Sequence, residues 1–272
     1  MELTVRRLGH LGDGIADGPD GPVFVPMALP GEVVAGEVDG GRMAAPKIIS
    51  PCPDRVKPPC PHYRSCGGCL LMHAADGFVA GWKSGVVQAA LEAQGIEAQL
   101  APALTVPARS RRRAALAGRR TKSGALVGFH AKASDVIVPV SDCHVLHPAL
   151  MALVPKLAEV VIAGGSRKAT LTLSLTLAEN GVDLDVSGGK PMDPALFSTL
   201  ARLAGVMGLA RISWAGETVV QSHVPLVRIG AAQGVVLDHL PHEGARAHAG
   251  DLQGVAEDGH PEGGQDLARH RP

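Results

Sequence analysis

The chain has 272 residues, 26 basic and 26 acidic side chains, and only 3% aromatic residues. No apolar run approaches the roughly 20 residues of a membrane span, and the start lacks a signal core, so a membrane or secreted protein is not expected and a cytoplasmic one is. Zero net charge argues against a nucleic-acid partner only until the chain is divided: residues 1–234 carry 23 Lys and Arg against 19 acids, and residues 235–272 carry three against seven.

Residues 1–50 read as short strands broken at Gly12-Asp13-Gly14, Asp20-Gly21 and Pro30-Gly31, a spacing that suits a small antiparallel β-barrel. Pro and Cys crowd residues 51–73, which read as a loop held by something other than a core. From Ala74 to Gln94 the apolar residues Phe78, Val79, Trp82, Val86, Val87, Ala90 and Leu91 recur at helical spacing, and Gly95 fits just past a helix end. Arg109, Arg111, Arg112, Arg113, Arg119, Arg120 and Lys122 then follow with no acid among them.

Strands are predicted at 126–129 and 136–140, and one helix is predicted from His147-Pro148 through Leu150, Met151, Val154, Leu157 and Val161. Leu171, Leu173, Leu175 and Leu177 alternate with hydroxyl residues, and Val182, Leu184 and Val186 alternate back after Asn180-Gly181, read as a type I′ turn. Asp193-Pro194 predicts a capped helix through Leu200 and Leu203, and 209–214 with 217–221 a second hairpin. After Leu240 few large apolar residues remain, and the tail is expected to be disordered.

Five cysteines in a chain that is not secreted point to metal or catalysis rather than to disulfides. Cys60, Cys66 and Cys69 form C-x5-C-x2-C, Cys143 lies far downstream, and thiolates at an x2 spacing converge on one metal without strain. Gly67 and Gly68 remove bulk and free backbone N–H groups to face sulfur. Spacing alone leaves three readings open: an iron–sulfur cluster, a zinc knuckle, or buried thiols without metal. Cys52, before Pro53, has no spaced partner and is read as non-ligating. His62, His73, His144 and His147 are read as capping or packing residues, Asp142 as a turn residue, and Trp82 and Trp214 as core.

Leu29-Pro30-Gly31-Glu32, Ser50 to Val56, Cys60-Pro61-His62-Tyr63-Arg64-Ser65-Cys66-Gly67-Gly68-Cys69, Met72-His73 and Lys83 together resemble the RNA uracil-C5 methyltransferases acting on ribosomal or transfer RNA. The resemblance covers roughly residues 1–230. It implies an α+β organisation, a TRAM-type barrel over 1–55 and a mixed central domain with antiparallel hairpins over 56–234, while composition sets apart the atypical tail over 235–272. It also implies a [4Fe–4S] cluster on Cys60, Cys66, Cys69 and Cys143, and S-adenosylmethionine as methyl donor.

The family's glycine-rich cofactor turn, Asp-Pro-Pro-Arg-like motif and Ser-Cys-Asn-Pro-like nucleophile setting are not found in this sequence. A monomer without its Rossmann-like methyltransferase domain, inactive alone, with a reading frame broken near Gln233–Asp238, is therefore expected. A stand-alone RNA-binding iron–sulfur or zinc module is the alternative. The arginine run from Arg109 to Lys122 is the expected RNA contact, against a solvated strand face as the plainer reading.

Overall fold

The computed structural model describes residues 1–229 and 232–236. The expected tail disorder falls on 235–272, and all but its first two residues lie outside the described residues.

The N-terminal unit comprises β1 (Glu2–Leu8), β2 (Gly14–Gly18), β3 (Gly21–Val25), β4 (Val33–Ala35) and β5 (Lys47–Ser50), in the order β3-β2-β1-β4-β5. Residues 41–43, which lead into β5, also take up the free edge of β3: Phe24 N–H donates to the Gly41 carbonyl at 2.8 Å and Met43 N–H to the Phe24 carbonyl at 3.0 Å. The sheet thereby curls, barrel-like, around Val5, Ala16, Val23, Val25, Val34 and Met43. β4 is shorter than the apolar run 33–38 suggests.

The larger unit is a seven-stranded sheet ordered β12-β11-β10-β9-β6-β7-β8. Its strands are β6 (Arg113–Arg120), β7 (Ala125–His130), β8 (Ile137–Pro139), β9 (Leu171–Ala178), β10 (Gly181–Ser187), β11 (Leu209–Trp214) and β12 (Glu217–Gln221). α3 (Leu157–Gly164) and α4 (Pro194–Met207) cover one face, burying Leu116, Leu157, Val160, Val161, Leu173, Leu184, Leu200 and Ile212 in one core. α4 starts as its sequence requires: Asp193 accepts the Leu196 N–H at 2.7 Å, Pro194 stands at the first position, and Gly208 closes the helix at φ 65°. A small hairpin, β13 (Leu226–Ile229) with β14 (Ala232–Val236), follows β12.

Three sequence expectations need correction, and one strand pairing was not foreseen. Pro155 lacks an N–H, so the single helix expected after His147 breaks into α2 (Pro148–Met151) and α3, joined by tight turns. The β9–β10 turn is Glu179-Asn180, and the positive φ of 133° sits on Gly181, so the turn is not type I′. β10 pairs antiparallel with β9 but parallel with β11, the chain crossing through α4, so the sheet is mixed. α1 (Asp76–Glu92) forms where expected, yet it buries no residue. Its first turns pack Phe78, Val79 and Trp82 against Leu8, Leu29, Leu71 and Ala74, which leaves Trp82 half-buried.

Beside that apolar contact, two polar joints fix the N-terminal unit to the rest of the chain. Glu32, 0% exposed, forks onto Arg55 at 2.5 and 2.7 Å and accepts the Leu29 N–H at 2.8 Å. Asp13 of the first unit meets Lys132 of the β7–β8 turn at 3.3 Å.

Candidate metal centre

The loop of residues 51–75 lies between the two units and has little apolar content of its own. Local hydrogen bonds shape it. Tyr63 N–H donates to the Cys60 carbonyl at 3.2 Å and Cys66 N–H to the His62 carbonyl at 2.8 Å. Gly67 N–H then donates to the His130 carbonyl at 2.8 Å, seating the loop on the end of β7. A Cβ on Gly67 would stand 2.8 Å from that carbonyl oxygen, so glycine is required for the approach.

Cys60, Cys66, Cys69 and Cys143 line one cavity, together with Tyr63, Phe129, Val140 and Val145 as its apolar walls. Cys52 is elsewhere, its N–H directed at Glu32. Cys143 reaches the cavity because β8 ends at Pro139 and the next loop is tied on two sides. His62 Nε2 lies 3.3 Å from the Ser141 backbone nitrogen and 3.2 Å from its hydroxyl. On the other side the arginine segment runs alongside: Arg109 N–H donates to the His144 carbonyl and Arg111 N–H to that of Val145, each at 2.9 Å.

Burial pushes the Cys66 and Cys69 thiols up, while the Arg111 guanidinium pulls Cys69 the other way. The Gly68 N–H lies 3.4 Å from Cys66 Sγ, the kind of donor that stabilises a ligating thiolate. Among the described residues no three His, Cys, Asp or Glu are arranged to hold a single metal ion. The four thiols nonetheless form a soft, all-sulfur donor set gathered on one cavity.

The histidines divide. His147 caps α2, its Nδ1 accepting the Ala149 N–H at 3.2 Å. His73 is 2% exposed, with Nδ1 2.5 Å from the Tyr63 oxygen and Nε2 buried without a partner. Tyr63 donates its own proton to the Leu70 carbonyl at 2.7 Å, so His73 carries its proton on Nδ1. Burial holds His73 neutral, its pKa lowered to about 4, and pushes the Tyr63 phenol up to about 12. Neither partner nor distance was legible in the sequence; only the presence of both residues was.

The seven cations of the arginine run do not share one environment. Arg109 forks onto Asp142 at 3.1 and 3.2 Å, which holds that carboxyl below its usual range. Asp142 is thus an ion-pair partner rather than a bare turn residue. Arg111 lines the cysteine cavity. Arg111 is itself exposed, as are Arg112, Arg113, Arg120 and Lys122, and Arg119 is half-buried across from Leu126. Trp214 is core, as read, 2% exposed against Gly164 and Gly189.

No family model matches the chain. It is 39% identical over 242 residues to an uncharacterised RNA methyltransferase of Caulobacter vibrioides, covering 85% of this chain and 58% of that protein. It is 34% identical over 214 residues to the 23S rRNA (uracil(1939)-C(5))-methyltransferase RlmD of a Shewanella species, covering 75% and 47%. The structure of Pyrococcus abyssi tRNA (uracil-54, C5)-methyltransferase in complex with S-adenosyl-L-homocysteine shares the fold, with a TM-score of 0.54 at 21% identity, over 79% of this chain and 50% of that one.

The chain is therefore a relative of the RNA methyltransferases. Within them it resembles the uracil-C5 family, whose relatives include the 23S rRNA enzymes. It spans about half the length of the curated relatives it matches. No helix among the described residues is long and apolar enough to cross a membrane.

Proposed function

We propose that the described part of this chain binds ribosomal or transfer RNA for uracil-C5 methylation in the cytoplasm and carries a [4Fe–4S] cluster on Cys60, Cys66, Cys69 and Cys143. One observation carries this reading. Four cysteines, three from one loop and one from 74 residues further on, line a single cavity, and an acid-free arginine segment is hydrogen-bonded along its edge. On this reading residues 1–55 form a TRAM-type domain and residues 56–234 the central cluster-bearing domain.

A multi-iron cluster fits better than zinc. Zinc sites more often use two short Cys or His pairs, and this chain has one short pair, Cys66 and Cys69, with Cys60 and Cys143 at longer spacing. The cluster would supply either a covalent brace between the loop and the sheet or an electron-transfer centre. The protein's own share is to present four thiols, keep water back with Phe129 and Val140, and offer Gly68 N–H to Cys66.

RNA binding rests on the cations Arg112, Arg113, Arg120 and Lys122, with Arg119 beside them, since Arg forks match phosphate oxygens. S-adenosylmethionine is the methyl donor that the relatives' activity implies, and it would transfer its methyl group to uracil C5. The test is filter binding of ribosomal and transfer RNA across a salt series, alongside incorporation of labelled methyl groups. Tight, salt-dependent RNA binding is expected. Absence of RNA binding at low salt would refute the reading.

A further inference from the structure

The arginine run looks like one uniform phosphate-binding strip, but Arg111 is set apart from its neighbours. Its backbone is bonded on both sides to the loop segment that carries Cys143 into place: its N–H donates to the Val145 carbonyl, and its carbonyl accepts the His147 N–H, each at 2.9 Å. It is a lining residue of the cysteine cavity, and its guanidinium, though exposed, stands close enough to pull the Cys69 thiol down. Two charged groups line that cavity, Arg111 and Asp142. Asp142 is neutralised by the forked Arg109. Arg111 has no carboxylate partner among the described residues.

The net charge facing the four sulfurs is therefore that of one guanidinium. A cluster bound by four thiolates is anionic, and a cation at its edge offsets that charge in a site walled by Phe129, Val140 and Val145. We infer that Arg111 is the counter-charge of the cysteine centre, a positioning residue that stabilises the bound cluster, and that it stands outside the RNA-contacting set formed by Arg112 and Arg113. This rests on the cluster reading above. The fork of Arg109 onto Asp142 belongs to the same device, since it removes the one anion that would otherwise repel the cluster.

The physical consequence has a definite sign. Reduction adds an electron to an already anionic group, so the Arg111 charge favours the reduced form. Its removal makes the cluster harder to reduce.

The experiment uses the full chain purified without oxygen, as wild type, Arg111→Gln, Arg111→Lys and Arg112→Gln. Iron and acid-labile sulfide are counted, cluster loss in air is followed by absorbance, the midpoint potential is titrated, and RNA affinity is measured over a salt series. Arg111→Gln is expected to lose its cluster several-fold faster and titrate at a more negative potential, with RNA affinity within about twofold of wild type. Arg111→Lys is expected to keep wild-type lifetime and potential, and Arg112→Gln to change only RNA affinity and its salt slope. A cluster whose lifetime and potential ignore Arg111→Gln overturns the inference alone. So does an Arg111→Gln chain that loses as much salt dependence as Arg112→Gln. A wild type without iron and sulfide overturns the cluster reading, and the inference with it.

Discussion

The phenol oxygen of Tyr63 sits 2.5 Å from Nδ1 of His73, and both side chains are buried at the base of the cysteine loop. Since Tyr63 also bonds the Leu70 carbonyl, the pair spans the loop from before Cys66 to beyond Cys69. It ties the loop's two ends without using any thiol.

The pair makes stability depend on pH. The pKa of His73 falls from an ordinary 6.5 to about 4 on folding, so below pH 6.5 the unfolded chain binds the extra proton. The contribution is present above pH 6.5 and is lost as pH falls toward 4, amounting to up to about 3 kcal/mol. Urea midpoints recorded between pH 7.5 and 4 should drop across that window and drop less in His73→Asn. Equal pH dependence in the two proteins would show that His73 is not the titrating group.

Glu32 and Arg55 form the other buried tie. Burial pushes the Glu32 carboxyl up, but its bonds from Arg55, the Leu29 N–H and the Cys52 N–H outweigh burial and hold it below the usual range. Glu32→Ala leaves the Arg55 guanidinium unpaired and the Leu29 N–H without its acceptor, and should cost about 3 kcal/mol. Thermal denaturation reads this directly, and a shift of less than a degree or two would show that the joint contributes little.

Gly128 is the tightest backbone position of the sheet edge that walls the cavity. A Cβ there would stand 1.9 Å from the Val138 carbonyl oxygen, so Gly128→Ala must part β7 from β8 and should cost about 3 kcal/mol or more. Gly124, two positions before Leu126, meets nothing within 4 Å, and Gly124→Ala should be close to neutral. Equal denaturation midpoints for the two variants would contradict this packing.

Arg112 and Arg113 are exposed and hold no carboxylate among the described residues. Arg112→Ala with Arg113→Ala should lower the slope of log affinity against log salt by roughly 1–2, at about 0.7–0.9 for each phosphate the chain no longer neutralises. An unchanged slope in filter binding would mark the pair as a solvated strand face.

Much of this fold is written locally. The Leu–Thr alternation of β9 and the Asp193-Pro194 start of α4 each depend on neighbours within a few positions, and each forms where its residues dictate. What depends on distant partners was not legible. The parallel seating of β11 on β10 follows from how α4 packs, and no local pattern encodes it. Pro155 did carry a readable break, masked by the apolar spacing that runs through it. At the site, Cys60, Cys66 and Cys69 announce themselves by spacing, whereas Cys143 entered only through family resemblance. The splitting of the arginine run is illegible in sequence because Asp142 lies 33 residues from Arg109.

The central claim is that four particular cysteines, and not the fifth, hold an iron–sulfur cluster. Iron and acid-labile sulfide should therefore be counted in chain purified without oxygen, for wild type, Cys143→Ser and Cys52→Ser. Iron and sulfide in equal amounts, about four of each per wild-type chain, are expected, retained in Cys52→Ser and lost or depleted in Cys143→Ser. One zinc per chain, no metal, or equal depletion in Cys52→Ser and Cys143→Ser would contradict the account.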